Sequence, residues 1–285
     1  MEQCKSNILL NRVFSKSTLS LLLNQKRSNV FYSVITRYIS DPFTKTNSQL
    51  ISEIYQKLKL DYRNEYYYKN TLLNKLLFKK HNPYTSVALT EIPVAKSKAD
   101  FILINGKAVV YEIKTELDNF ERLDSQLENY YKAFDNVCVV TSENCLDALK
   151  KRLNNEYVGI YTITKRGALS IYREPISYKK NLNHEIIFKI LRKYEYENIL
   201  LEYYKKLPEV SQFQYYKECK MLFSKIDIDV AYEKFKKELK KRCTINVDYV
   251  TNIPEEIKSV VYFSALKEKE IDTLNEFLDK KYGGS

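Results

Sequence analysis

Residues 100–114 read Asp100-Phe101-Ile102-Leu103-Ile104-Asn105-Gly106-Lys107-Ala108-Val109-Val110-Tyr111-Glu112-Ile113-Lys114. Two apolar runs flank Asn105-Gly106, a dipeptide that strongly favours a tight hairpin turn. An acid opens the first run, and the second closes on acid, apolar residue, lysine. Unpaired charge is costly to bury in apolar strands, so three charges at the open ends of one hairpin need a reason. Strand alternation puts Glu112 and Lys114 on the same face. The turn decides where Asp100 goes. A three-residue loop with Gly106 left-handed sets Ile104 opposite Ala108 and Asp100 opposite Glu112. A two-residue type I′ loop sends Asp100 to the other face, and the residues permit both.

Two facing carboxylates repel unless a cation sits between them. Hard oxygen donors with no histidine nearby suit Mg²⁺ or Mn²⁺ better than Zn²⁺. A lysine beside such an ion balances charge building on a phosphate. Carboxylate, cation and lysine together form an apparatus for hydrolysing a phosphodiester. The plainer alternative is an exposed hairpin with an ordinary same-face Glu–Lys pair and an unrelated aspartate.

Outward from the hairpin, the texture changes twice. Before residue 82 the apolar spacing is helical, with Leu50, Ile54, Tyr55 and Leu58, then Leu72, Leu73, Leu76 and Leu77. Strands are expected over 87–93, 99–104, 108–114, 137–141, 158–164 and 168–172. Helices are expected over 119–134, opened by Asp118 and Glu121 at capping-box spacing, and over 145–153. After Pro175 the pattern is helical again, through Ile186, Ile187, Ile190, Leu191 and Tyr194 and through Tyr232, Phe235 and Leu239. Lys236-Lys237 and Lys240-Lys241-Arg242 read as a solvated helix face. The expected division is a basic helical region 1–62, a mixed α/β core 63–174 and a helical region 175–285.

The chain has 285 residues with 47 Lys and Arg against 36 Asp and Glu, a net charge of +11. The excess is concentrated: +9 over residues 1–90, −1 over 91–174 and +3 over 175–285. A concentrated positive field attracts polyanions, of which nucleic acid is the usual one. Only Gly106, Gly159 and Gly167 lie inside the chain, which excludes a Walker loop or a dinucleotide GxGxxG. Two histidines, His81 and His184, exclude a His-rich zinc enzyme. Five cysteines without a CxxC pair suit free thiols in a reducing cytoplasm. No stretch approaches the roughly 18–20 apolar residues of a membrane span, and the cysteine usage leads to a cytoplasmic location being expected.

Twelve residues after Lys114 comes Gln126-Leu127-Glu128-Asn129-Tyr130. With Asp100 as first acid and Glu112-Ile113-Lys114 as an ExK element, this resembles the PD-(D/E)XK nuclease superfamily, in particular RecB-like members with a QxxxY helix. The wording around these motifs is similar to a poorly characterised bacterial and phage-associated PD-(D/E)XK family. The resemblance covers roughly residues 63–172, and Ala99 stands where the superfamily places proline before the first acid.

The resemblance implies a restriction-endonuclease-like core, a small mixed sheet flanked by helices, with helical N- and C-terminal extensions. It implies a Mg²⁺- or Mn²⁺-dependent nuclease acting on nucleic acid, with DNA expected, in a phage-defence, mobile-element or repair setting. Asp100, Glu112 and the Ile113 carbonyl would hold the metal, and Lys114 would stabilise charge on the nucleophile or phosphate. Glu65, from the helix before the sheet, is the candidate additional acid, and Glu91 could line the same cleft; either also reads as a surface glutamate. Arg122, Gln126 and Tyr130, four apart on one helix flank, would hold phosphate oxygens. The competing expectation is a non-cleaving, nucleic-acid-binding or partner-recruiting protein on the same fold. In it the Tyr-rich C-terminal region, with Tyr203-Tyr204 and Tyr215-Tyr216, would dock a protein partner or stack bases.

Overall fold

The N-terminal helices open on side chains that accept a main-chain N–H, which satisfies donors the helix itself leaves orphaned. A computed structural model describes residues 9–24, 28–243 and 245–283. Ser15 caps α1 (Lys16–Leu23), Ser28 caps α2 (Asn29–Tyr38), and Thr46 with Gln49 forms a full capping box on α3 (Asn47–Asp61). Asn64 caps α4 (Glu65–Leu72), which runs into a π-helical segment Leu73–Lys80. Leu50, Ile54 and Leu58 are buried, as are Leu72, Leu73, Leu76 and Leu77, in line with their spacing.

From residue 87 the apolar alternation has period two, and six strands form one sheet in sequence order. These are β1 (Val87–Val94), β2 (Ser97–Asn105), β3 (Lys107–Lys114), β4 (Asn136–Ser142), β5 (Gly159–Ile163) and β6 (Leu169–Arg173). β1–β2–β3 and β5–β6 are antiparallel, while β3–β4 and β4–β5 are parallel. Each parallel step needs a crossover. α5 (Leu123–Tyr131) makes the first, packing on β2 and β4, and α6 (Leu146–Arg152) makes the second.

The remaining helices of this region are α7 (His184–Ile190), α8 (Lys193–Tyr204), α9 (Gln212–Ser224) and α10 (Ile228–Lys240). Beyond them lie α11 (Val247–Thr251), α12 (Lys258–Ser264) and α13 (Glu268–Asp279). The fold is thus mixed α/β, a six-stranded mixed sheet with helices against it and helical regions before and after it. Among the described residues, no helix is long and apolar enough to cross a membrane.

The chain divides into two compact units, residues 85–243 and residues 1–84 with 244–285. These boundaries differ from the three-part division at 62 and 174. Residues 175–243 join the sheet because Ile187, Phe188, Ile199, Phe223, Tyr232, Phe235 and Leu239 share one core with Ile102, Val110, Leu127 and Val139. In the other unit, residues 245–283 join the N-terminal helices. The Asn47 N–H donates to the Lys280 carbonyl at 2.9 Å and the Tyr282 N–H to the Lys45 carbonyl at 3.0 Å.

Two local expectations are corrected. The helix expected over 119–134 is shorter, because Asp118 is already engaged: its carboxylate accepts from the Thr115 N–H and hydroxyl, at 2.9 and 2.7 Å, and holds the turn after β3. Lys236 and Arg242 are not solvated. Lys236 is buried, its ammonium 4.9 Å from the Tyr232 ring centre and donating to the Gly106 carbonyl at 3.2 Å. Arg242 pairs at 2.6 Å with the fully buried Glu195 and also donates to the Ile190 carbonyl. Lys237, Lys240 and Lys241 are exposed.

Candidate active site

The hairpin turn fixes the geometry. Gly106 has φ +71°, the left-handed conformation open to glycine at little cost, and Asn105 pairs with Lys107. The ladder then runs Ile104–Ala108, Leu103–Val109, Ile102–Val110 and Phe101–Tyr111, the three-residue-loop register. Continued by one step, it sets Asp100 across from Glu112. Ile102, Ile104, Ala108 and Val110 belong to the core that α5 covers. Asp100, Glu112 and Lys114 share their parity and therefore their face.

On that face the three charges are tied together. Asp100 Oδ2 accepts the Ile113 main-chain N–H at 2.8 Å. Glu112 Oε1 lies 3.0 Å from the Lys114 ammonium, and both side chains are almost wholly buried. Gln126 bridges the pair. Its amide nitrogen donates to Glu112 Oε1 at 2.5 Å, and its amide oxygen accepts from Lys114 Nζ at 2.8 Å. The Tyr130 hydroxyl lies 2.5 Å from Glu112 Oε2 and 2.9 Å from the Lys98 carbonyl. Burial pushes the Tyr130 hydroxyl well above the usual phenol range, and the charges of Glu112 and Asp100 add to the effect. Tyr130 therefore stays a neutral donor.

The QxxxY spacing is what delivers two partners to one carboxylate. Residues four apart on α5 stand one above the other, so Gln126 and Tyr130 both reach Glu112. Leu123, Leu127 and Tyr131 bury the neighbouring stripe. Tyr130 is 0 % exposed. Its hydroxyl, like the Gln126 amide, is spent on the Glu112–Lys114 pair. Arg122 stands exposed one turn before Gln126.

Glu91 lies between the Thr90–Phe101 and Ile92–Ala99 pairs, hence across from Asp100. Its φ is +60°, a left-handed value that a β-carbon disfavours. A carboxylate oxygen of Glu91 lies within 4.8 Å of one of Asp100, and Lys98 pairs with Glu91. Glu65 belongs to the other unit, where it opens α4 and pairs with Lys69 at 2.5 Å. Sequence reading overlooked Thr141, whose buried hydroxyl donates to the Lys114 carbonyl at 2.7 Å. It also overlooked Thr90, which donates to the Asp100 carbonyl at 2.8 Å. The available signal was a hydroxyl residue closing the apolar run Val137–Val140 beside Lys114.

The donor set suits a hard cation. It consists of carboxylate oxygens, with two acids drawn together at Asp100 and Glu91 and no imidazole or thiolate.

The family profile described as Bacteriophage P4 protein cII matches residues 58–259, more than half of the chain, which therefore belongs to that family. The chain is similar to "Protein cII" of Enterobacteria phage P4, 27 % identical over 119 residues, which are 41 % of this chain and 39 % of that protein. The chain thus spans about two fifths of the length of this curated relative. No solved structure gives a significant match.

Proposed function

We propose that this member of the bacteriophage P4 protein cII family is a metal-dependent nuclease that hydrolyses phosphodiester bonds, with DNA as its substrate. The observation that carries the reading is the hairpin register, which collects Asp100, Glu112 and Lys114 on the face that Gln126 and Tyr130 complete. Asp100 with Glu91, Glu112 and the Ile113 carbonyl would supply oxygen ligands for Mg²⁺ or Mn²⁺. When bound, such an ion polarises a phosphate oxygen and activates a water.

The rest is the work of the chain's own side chains. Lys114 keeps its ammonium in a water-poor setting, where its charge acts strongly on a phosphate. Gln126 fixes the distance between that ammonium and Glu112. Tyr130 holds the second oxygen of Glu112, so the carboxylate cannot rotate without breaking a buried hydrogen bond. The P4 relative supports a phage or mobile-element setting.

The test is digestion of linear, circular and single-stranded DNA and of RNA, with Mg²⁺ or EDTA, by the parent chain, Asp100→Asn and Lys114→Met. Cleavage that requires Mg²⁺ and falls at least about 100-fold in both variants is expected. Undiminished cleavage by either variant removes that residue from the mechanism. The second reading, a non-cleaving binding protein, is favoured by one observation. Glu112 is 1 % exposed, with both oxygens already bonded within the protein. Nucleic acid bound but never cut under any of these conditions is its signature.

A further inference from the structure

The groove between α7 and α9 carries a pattern that the candidate active site leaves unused. Phe213, Tyr216, Lys217, Lys220, Met221 and Ser224 recur at helical spacing along one edge of α9. Phe213 is 98 % exposed, Tyr216 50 % and Met221 40 %, an unusual row of large apolar groups to leave in water. Beside them opens a cavity of about 240 Å³ lined by His184, Glu185, Lys217, Lys220, Met221 and Ser224. Glu185, the one carboxylate in that lining, is paired with Lys220 at 2.8 Å and Lys189 at 3.0 Å. These two ammonium groups hold its carboxyl down to about 2. It is therefore ionised, and Lys217 and Lys220 in the lining, with Lys189 beside them on Glu185, outnumber that carboxylate and leave the groove cationic.

The geometry points to this groove as a shelf for a single strand of nucleic acid, with bases stacked on Phe213 and Tyr216 and phosphates against Lys217, Lys220 and Lys189. The inference rests on the proposed nucleic-acid substrate and adds a contact surface for it built from residues other than those of the candidate active site. Interleaved aromatic and cationic side chains are what a sequence-tolerant single-strand site requires, because every base has a stacking face and every linkage a charge. Tyr216 is already held in place, its ring 5.4 Å from that of Phe188 and 6.2 Å from that of Tyr196, so little freedom is lost when a base stacks on it. A second copy of this chain would bring lysine against lysine, and an apolar peptide would leave the lysines unanswered.

The experiment is fluorescence anisotropy of a labelled oligothymidylate with the full chain in EDTA, where no metal-dependent cutting intrudes, across a salt series. Phe213→Ala removes an almost fully exposed ring, so the fold is not at risk; affinity is expected to fall about 10-fold. Lys217→Gln with Lys220→Gln is expected to lower the slope of log affinity against log salt by about 1.4, at about 0.7 per lost phosphate contact on a single strand. Failure of the parent chain to bind, or unchanged affinity and slope in both variants, overturns the inference. So does a self-association, seen by light scattering, that Phe213→Ala abolishes while oligothymidylate binding stays intact. If the parent chain never cleaves with Mg²⁺ but the variants still lose binding, the active-site reading falls and this one stands.

Discussion

The Ile113 main-chain N–H donates to the Asp100 carboxylate at 2.8 Å, fixing the first acid to the strand that carries Glu112 and Lys114. The β2–β3 ladder ends at Phe101 and Tyr111, and just beyond it the aspartate side chain supplies the acceptor for a buried strand N–H. Asp100 thus has a structural task as well as a candidate catalytic one. Asp100→Asn keeps a carbonyl acceptor, whereas Asp100→Ala leaves the Ile113 N–H without it. Urea unfolding should find Asp100→Ala less stable than Asp100→Asn by about 1–2 kcal/mol. Equal stabilities would show that the hydrogen bond does not hold the strand end.

The Glu112–Lys114 pair is buried, so removing one partner strands the other. Lys114→Met should cost about 3 kcal/mol, because the Glu112 charge then has only Gln126 and Tyr130 to answer it. Glu112→Gln combined with Lys114→Met should cost less than the two single changes added, with a coupling of about 1–3 kcal/mol in a double-mutant cycle. Simple additivity would mean that the two groups do not sense each other.

Glu91 sits at φ +60° within β1, where glycine is at ease and a β-carbon is not. Glu91→Gly and Glu91→Ala remove the same carboxylate and the same contact with Lys98. They differ in backbone strain, and the glycine variant should be the more stable by about 1 kcal/mol. A melting temperature for Glu91→Ala above that of Glu91→Gly would contradict a strained strand. Mg²⁺-dependent cleavage should fall in both, since both lose the acid beside Asp100.

Alkaline pH should unfold the protein through its buried tyrosines. Burial drives the hydroxyls of Tyr66, Tyr111, Tyr130 and Tyr232 above the usual phenol range, and Glu112 adds to the shift at Tyr130. The unfolded chain releases these protons near pH 10, while the folded chain keeps them. Above that pH the unfolded state binds fewer protons, so stability is lost as pH rises from about 10 toward the folded-state values. Urea midpoints should decline steadily over this range, and the last tyrosinate absorbance should appear only with loss of the circular-dichroism signal. Complete tyrosine ionisation in a chain that is still folded would refute the sign.

Much of the sheet was legible in short-range order. Asn105-Gly106 marks the hairpin between two apolar runs, and strand alternation puts Glu112 and Lys114 on one face, because both rules act between near neighbours. The helical stripes Leu50–Ile54–Leu58 and Leu123–Leu127–Tyr131 follow from period alone. What packing decided lies elsewhere. The register was one of two that the residues allow, and the core under α5 selects the one that buries Ile102 and Val110 together. Gln126 and Tyr130 turned to Glu112 because α5 lies across β2 and β4. Lys236 is buried because its ammonium sits over the Tyr232 ring and donates to the Gly106 carbonyl, although its neighbours suggest a solvated face. The unit boundaries fall at 84 and 243 because apolar area is buried wherever distant segments meet. Local periodicity specifies each element, but which faces lose their water depends on contacts between residues far apart in the chain, and only the tertiary structure supplies those.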